Sequence, residues 1–391
     1  MSSVVLVSFA RTPIGSLSGS LSQLLAPKLG SAAIAGALSK IGGVNALESH
    51  NVEVILGNVV SAGVGQAPAR QAAKAAGLPN STQCTTLNKV CASGMKSAMY
   101  GASSIMLGSD NVVIAGGFES MSRIPHYMMG GRVGEFPKLG NATLTDGLVH
   151  DGLWDVYNNQ HMGMCAEKCA DDYGISKADQ DEYAVESYKR AAKASAGEIP
   201  PKRRGGDSTY VKLDEEINAV NLEKLPGLRP AFKREGGTVT AANASSINDG
   251  GAAMVLMSEE KAKAMNLTPL ARITGFGDFE QAPEDFTTAP AGAVPNALKM
   301  AKMSLADVDY HEINEAFSVV ALANMKLMDL DASRVNVNGG AVSLGHPIGC
   351  SGARIIGSLY SVLSQNDGAV GCASICNGGG GASAIVIERL S

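Results

Sequence analysis

Apolar residues along this chain gather into short uninterrupted runs, separated by longer stretches rich in alanine and methionine. Val4-Val5-Leu6-Val7 opens the series, and runs over 52–58 and at Val112-Val113-Ile114-Ala115 follow. A run of this length without polar alternation reads as a strand covered on both faces, hence interior to a sheet. Residues 69–76 and 95–106 have the composition of helices. Strand and helix therefore alternate, which predicts an α/β fold.

The pattern also repeats at a distance. Ser93-Gly94-Met95-Lys96 leads through a helical stretch to Asp110-Asn111-Val112-Val113-Ile114-Ala115-Gly116. At matching spacing, Ser351-Gly352-Ala353-Arg354 leads to Asp367-Gly368-Ala369-Val370-Gly371-Cys372-Ala373. Duplication of one α/β half accounts for this better than two coincident glycine-rich helix starts. From about 121 to 247 the texture changes. Ser176-Lys177-Ala178-Asp179 has the form of a capping box opening a charged helix to about 194. Pro200-Pro201-Lys202-Arg203-Arg204-Gly205-Gly206 then makes a breaker-rich loop with three consecutive cations, either a solvated face or a receiver of phosphates. The section reads as an excursion carrying binding residues on a duplicated scaffold.

Composition narrows the class. A chain of 391 residues exceeds one simple core and predicts two or three packed units. A net charge of −5 argues against general nucleic-acid binding but leaves room for a local basic mouth. Seven scattered cysteines fit free thiols in a reducing compartment better than a disulfide framework. Cys165 and Cys169 lie one helical turn apart, but no matching pair follows at zinc-finger spacing, so no zinc site is expected. No apolar run is long enough to predict a membrane span. A strand starting at Val4 and an end at Glu388-Arg389-Leu390-Ser391 point to the cytosol, or to the mitochondrion if a leader has been removed.

Four motifs carry candidate chemistry. Leu87-Asn88-Lys89-Val90-Cys91-Ala92-Ser93-Gly94 sets a thiol just ahead of a helix, where the helix N-terminus is expected to lower its pKa. Taken alone, Cys91 between Val90 and Ala92 reads as a small buried hydrophobe. Glu312-Ile313-Asn314-Glu315-Ala316-Phe317 offers Asn314 as N-cap of a helix over 315–328. Gly345-His346-Pro347-Ile348-Gly349-Cys350-Ser351-Gly352 embeds an imidazole among glycines, as if exposed to a ligand at a helix start. Cys376-Asn377-Gly378-Gly379-Gly380-Gly381 puts a second thiol before four glycines whose N–H groups could form an anion nest. A thiolate nucleophile needs a base such as His346. An oxyanion needs fixed donors, available from Asn314, His346 and the Gly378 backbone. A second cysteine has no task in simple acyl transfer, but it has one if a carbon acid must be deprotonated.

In these motifs and their order the chain resembles the thiolases, over nearly its whole length from Arg11-Thr12-Pro13-Ile14-Gly15 to the Cys376 glycine run. The resemblance implies a duplicated five-layer αβαβα core with an inserted loop domain. Residues 1–120 plus 248–269 would form the first half, 121–247 the loop domain and 270–391 the second half. It implies the short-chain branch, which reversibly joins two acetyl-CoA into acetoacetyl-CoA and free coenzyme A. Cys91 would take the acyl group and His346 would activate it. Asn314, through a water, and His346 would hold the enolate oxygen. Cys376 would remove the methyl proton, and the Cys91 and Gly378 N–H groups would hold the acyl-enzyme carbonyl. Leu153, His161, Met162, Phe232, Ala244, Ser245, Ala316 and Phe317 would line the coenzyme A and acyl pocket. One subgroup binds potassium, which implies ligands at Tyr188, Ala241, Ala242, Ala244 and Val342. No covalently held cofactor, no nucleic acid and no membrane are implied, and a homotetramer, a dimer of dimers, is. The segment 197–204 is shorter than in the family, so no contact to the nucleotide end is assigned there.

Four rivals remain on this reading. A broad-specificity 3-ketoacyl-CoA thiolase of β-oxidation would need Met162 and Phe317 to leave the pocket open. A decarboxylating condensing enzyme would not need Cys376. A Cys-His-Asn hydrolase would leave the second thiol idle. A silent lipid carrier would not need Cys91, His346 and Cys376 together.

Overall fold

The computed structural model describes residues 2–109, 111–135, 137–195 and 211–391. Its main sheet contains nine principal strands: β1 (Val4–Arg11), β2 (Val52–Gly57), β3 (Gln83–Leu87), β4 (Val112–Ser120), β5 (Asn248–Ser258), β6 (Ala271–Glu280), β7 (Tyr310–Ile313), β8 (Val370–Asn377) and β9 (Gly381–Arg389). Read outward in one direction from the middle, the order is β1-β5-β4-β2-β3; in the other it is β6-β9-β8-β7. Within the sheet the two halves are joined where Val4, Val5 and Leu6 of β1 pair antiparallel with Ile273, Arg272 and Ala271 of β6. In each half the two inner contacts are antiparallel and the outer ones parallel. The duplication expected from Ser93-Gly94 and Ser351-Gly352 is therefore built into the sheet. The β4-to-β5 connection, residues 121–247, occupies the position of the Gly378-Gly379-Gly380 turn between β8 and β9.

The apolar runs fold this way because alternate residues enter different cores. Val4 and Leu6 face inward, whereas Val5 and Val7 face outward against α1 (Ala26–Ser39) and α2 (Pro68–Ala75). In β9, Ile385 and Ile387 face inward, while Ala382, Ala384 and Val386 face outward toward helix Pro290–Ala301. Between the inward faces lie α3 (Ser93–Met106) and a second central helix (Ile348–Gln365), both packed into one shared core. Outer helices, sheet, central helices, sheet and outer helices make the five layers.

The two central helices cross at their first turns, and glycine permits it. A Cβ on Gly94 would stand 2.7 Å from Ala353 N, and one on Gly352 would collide with Met95 N. The repeat thus marks equivalent glycines that let two helix N-termini meet backbone to backbone. Strand β2 and helix α2 each lie within one residue of the expected ranges, and helix Lys177–Ala194 begins with the expected capping box. The cationic loop at 200–206 lies outside the described residues. Among the described residues no helix is long and apolar enough to cross a membrane.

Gly352→Ala places a methyl group against a backbone nitrogen that cannot rotate away. We expect it to destabilise the fold by about 1–3 kcal/mol, read as a lower midpoint in urea unfolding.

Candidate active site

Cys91 is presented by a strained turn between β3 and α3. Val90, a β-branched residue, holds φ at +46°, a conformation that costs about 1–3 kcal/mol. Several bonds over-determine it. Asn88 Oδ1 accepts from Val90 N at 2.8 Å, and Asn88 Nδ2 donates to Val59 O at 3.1 Å. Ser93 Oγ accepts from Lys89 N at 2.8 Å and donates to Val90 O at 2.6 Å. The thiol ends up 6% exposed.

That burial overturns the expected lowering of its pKa. Loss of solvent pushes the Cys91 thiol up to about 11, against the opposing pull of the Gly378 and Cys91 backbone N–H groups. At neutral pH the thiol keeps its proton, so attack on an acyl carbon requires a base acting in the same step.

His346 sits on the turn entering helix Ile348–Gln365 and is buried, not exposed as its glycine surroundings implied. Its backbone N donates to Asn248 Oδ1 at 2.9 Å. Its Nδ1 lies 2.6 Å from Ser351 Oγ, which donates its own proton to Pro347 O at 3.1 Å. Ser351 therefore accepts from Nδ1–H, which leaves the Nε2 lone pair free as the basic site. Burial first, and the Arg354 charge second, hold His346 down to about 3, so the imidazole is neutral.

Asn314 is not a helix cap. The helix begins at Ser318 after Phe317, with no side-chain cap, and Ser318 N donates instead to Asn243 O. The competing bond is local: Ala316 N turns back to Asn314 O at 3.1 Å. Freed from capping, the Asn314 amide points its Nδ2 at His346 Nε2, 3.5 Å away. A contact that long leaves both groups able to bind a third atom.

Cys376 is the penultimate residue of β8, fully buried beside Met162 and Phe317. Burial, and then the nearby Cys91, raise its pKa well above the ordinary thiol value. The four glycines after it do not form an open anion nest. They make the β8–β9 hairpin, with Asn377 paired to Gly381, and only the Gly378 N–H reaches the Cys91 thiol.

The other expected pocket residues also converge. His161 stacks on Phe232 with ring centroids 4.6 Å apart, and Phe232 meets Phe317 edge-on at 6.3 Å. His161 Nδ1 accepts from Gly163 N at 3.0 Å, so its Nε2 carries the proton and is a donor. Ala244 bridges to Phe317, and Ser245 Oγ donates to Ala316 O at 2.9 Å. Met162 N donates to Leu153 O at 3.0 Å. A cleft of about 650 Å³, floored by Val90, Met162 and Gly378 and rimmed by Trp154 and Tyr157, opens to solvent.

Residues 4–260 match the model of the thiolase N-terminal domain, and 267–389 that of the thiolase C-terminal domain. This chain is a member of the thiolase family. It is 54% identical to acetyl-CoA acetyltransferase 2 of Arabidopsis thaliana, over 99% of this chain and 97% of that protein. It is 53% identical to a cytosolic acetyl-CoA acetyltransferase of Gibberella zeae, over 99% of this chain and 98% of that one. The crystal structure of an Ascaris suum thiolase in complex with coenzyme A superposes with a TM-score of 0.90. It is 42% identical, with 99% of this chain and 100% of that chain covered.

In this thiolase the residues expected to hold potassium partly assemble. Tyr188, Ala242 and Val342 share one buried cluster, Ala244 lies in the acyl-pocket cluster, and Ala241 is exposed. The Tyr188 hydroxyl is buried, and after burial the charges of Glu216 and Glu315 raise its pKa further. Earlier on the same helix, both amide atoms of buried Gln180 lack a hydrogen-bond partner. Its amide oxygen is the one unpartnered buried side-chain oxygen on this helix, among the described residues, that could serve a monovalent cation.

Sequence reasoning missed the supports of this thiolase's site. Ser351 orients His346. Asn248 ties the His346 backbone to Gly15 O and Glu216 Oε1. Glu119 accepts from Val59 N, Val60 N and Gly349 N, and so clamps the β4 end to the second central helix. Buried Glu315 gathers Tyr183, Ser187, Asn336 and Val342 N. The one available signal was the Ser93/Ser351 repeat, since each serine returns a hydrogen bond to the turn before its helix.

Because Cys91 is protonated and His346 is neutral, removing the imidazole should slow alkylation of Cys91 by iodoacetamide. We expect His346→Ala to reduce that rate about a hundred-fold at pH 7.5, followed by mass spectrometry of the Cys91 peptide.

Proposed function

We propose that this thiolase reversibly joins two acetyl-CoA molecules into acetoacetyl-CoA and coenzyme A, as an acetyl-CoA C-acetyltransferase. The observation that carries the reading is the meeting of Cys91, Cys376 and the Gly378 N–H beside the His346–Asn314 pair. The names of the relatives and the coenzyme A held by the Ascaris thiolase support the same chemistry.

In the first half-reaction Cys91 Sγ attacks the thioester carbonyl while its proton moves to His346 Nε2. The Gly378 and Cys91 N–H groups hold the carbonyl oxygen, and coenzyme A leaves with the proton. In the second, Cys376 passes its own proton to His346 Nε2 and takes one from the methyl group of another acetyl-CoA. The enolate oxygen is held by His346 and by a water on Asn314. Its carbon attacks the acyl group, and Cys91 leaves as a thiolate that takes the proton back from His346. The order has an electrostatic reason. An ionised Cys91 disfavours ionisation of Cys376, and acylation removes that charge before Cys376 must act.

Leu153, His161, Phe232, Ala244, Ser245 and Ala316 take the pantetheine arm, in the excursion 121–247 and the loops facing it. The halves 1–120 with 248–269 and 270–391 supply the catalytic turns. Met162 and Phe317, packed with buried Phe286, close the acyl pocket to long chains. Tyr188, Ala241, Ala242, Ala244 and Val342 would hold potassium, which would brace the segment carrying Ala244. A cytosolic location is supported by the likeness to the cytosolic acetyl-CoA acetyltransferase of Gibberella zeae. A homotetramer is supported by the uncovered edge strand β3 and by exposed Met128, Met129, Val133, Leu139 and Leu144 in the excursion.

The purified protein should cleave acetoacetyl-CoA with coenzyme A, and 3-ketohexadecanoyl-CoA far more slowly, with potassium stimulating the first reaction. Comparable rates on both would instead mark a broad β-oxidation thiolase. Cys91→Ala should abolish transfer. Cys376→Ser should block condensation yet still accept an acetyl group on Cys91, visible as a mass increase of the intact protein; wild-type condensation in that variant would remove Cys376 as the carbon base.

A further inference from the structure

We propose that Arg354 is a positioning residue for the enolate site: from inside the core it holds the Asn314 amide oxygen, so that the amide NH₂ faces His346 and the substrate. The proposal rests on the thiolase reading above and deepens it.

An Asn amide can face a site with either end, and the ends have opposite chemistry. Beside an imidazole whose Nε2 carries a lone pair, an inward-facing Oδ1 would repel it and could not serve an enolate. Something must hold the oxygen away. Arg354 Nη2 donates to Asn314 Oδ1 at 3.5 Å, and no other described donor reaches that oxygen. Ser351 and Arg354 lie three residues apart on the second central helix, hence on one face. Successive turns of one helix therefore reach the two side chains, Ser351 the imidazole at 2.6 Å and Arg354 the amide by a longer bond of 3.5 Å.

The guanidinium is poorly accounted for by stability alone. It is 1% exposed, and its Nε and Nη1 have no hydrogen-bond partner. Glu312 supplies the nearest opposing charge, with Glu315 further contributing and Arg11 opposing, yet Glu312 Oε1 is also unpartnered. A buried cation held so loosely is less favourable than an apolar side chain of equal volume. The same charge adds to burial in keeping His346 neutral.

The test is a double-mutant cycle on thiolysis of acetoacetyl-CoA. Arg354→Gln should lower kcat about 10- to 100-fold with KM for coenzyme A unchanged. In an Asn314→Ala background the same substitution should cost less than about threefold, because its target is gone. Arg354→Lys keeps the charge and one donor, should lose less, and carries the cycle if the glutamine variant is insoluble. Equal losses in both backgrounds, a wild-type kcat, or a loss confined to KM would overturn the assignment. An inactive wild-type protein would overturn the thiolase chemistry itself, a distinct outcome from an active enzyme indifferent to residue 354.

Discussion

Two helix N-termini packed backbone against backbone are the constraint on which the rest depends. Gly94 against Ala353 and Gly352 against Met95 set the separation of the central helices to one that no larger residue permits. Each helix is entered through a turn that carries a candidate catalytic group, the first Cys91 and the second His346. The close crossing converts two turns 255 residues apart into one site. The sheet joint at Val4–Leu6 then holds the halves so that the β8–β9 hairpin brings Cys376 and Gly378 to the same place. Enlarging either glycine would push apart the chemistry along with the helices.

The second governing fact is dryness. Cys91, Cys376 and His346 are all buried, and for each the loss of water outweighs every other influence on its charge. Burial disfavours the thiolate and the imidazolium alike, so the resting groups are neutral. Fixed N–H donors matter most under these conditions, since no solvent competes with them. The helix N-terminus ahead of Cys91 acts in the expected direction, but a partial charge cannot offset removal of the whole solvent shell.

Much of the scaffold was legible in the residues. The apolar runs at 4–7 and 112–115 became interior strands because a strand covered on both faces has no polar side to show. The Ser93-Gly94 and Ser351-Gly352 repeat announced both the duplication and the crossing glycines. Asn314 was misread because capping depends on where the helix begins, and the Ala316–Asn314 bond delays that start to Ser318. The burial of His346 was misread for a related reason: glycine-rich surroundings signal backbone proximity, which serves a packed core as well as an open site.

By itself the sequence determined the kinds of element, the duplication, and the chemical inventory of two thiols, an imidazole and an amide. These follow from side-chain identity and local periodicity, which neighbouring residues alone can express. Only the tertiary structure decided which end of the Asn314 amide faces the site, which nitrogen of His346 is basic, and whether Cys91 is charged. Those depend on Arg354, Ser351 and the depth of burial, and on partners brought from distant parts of the chain by packing.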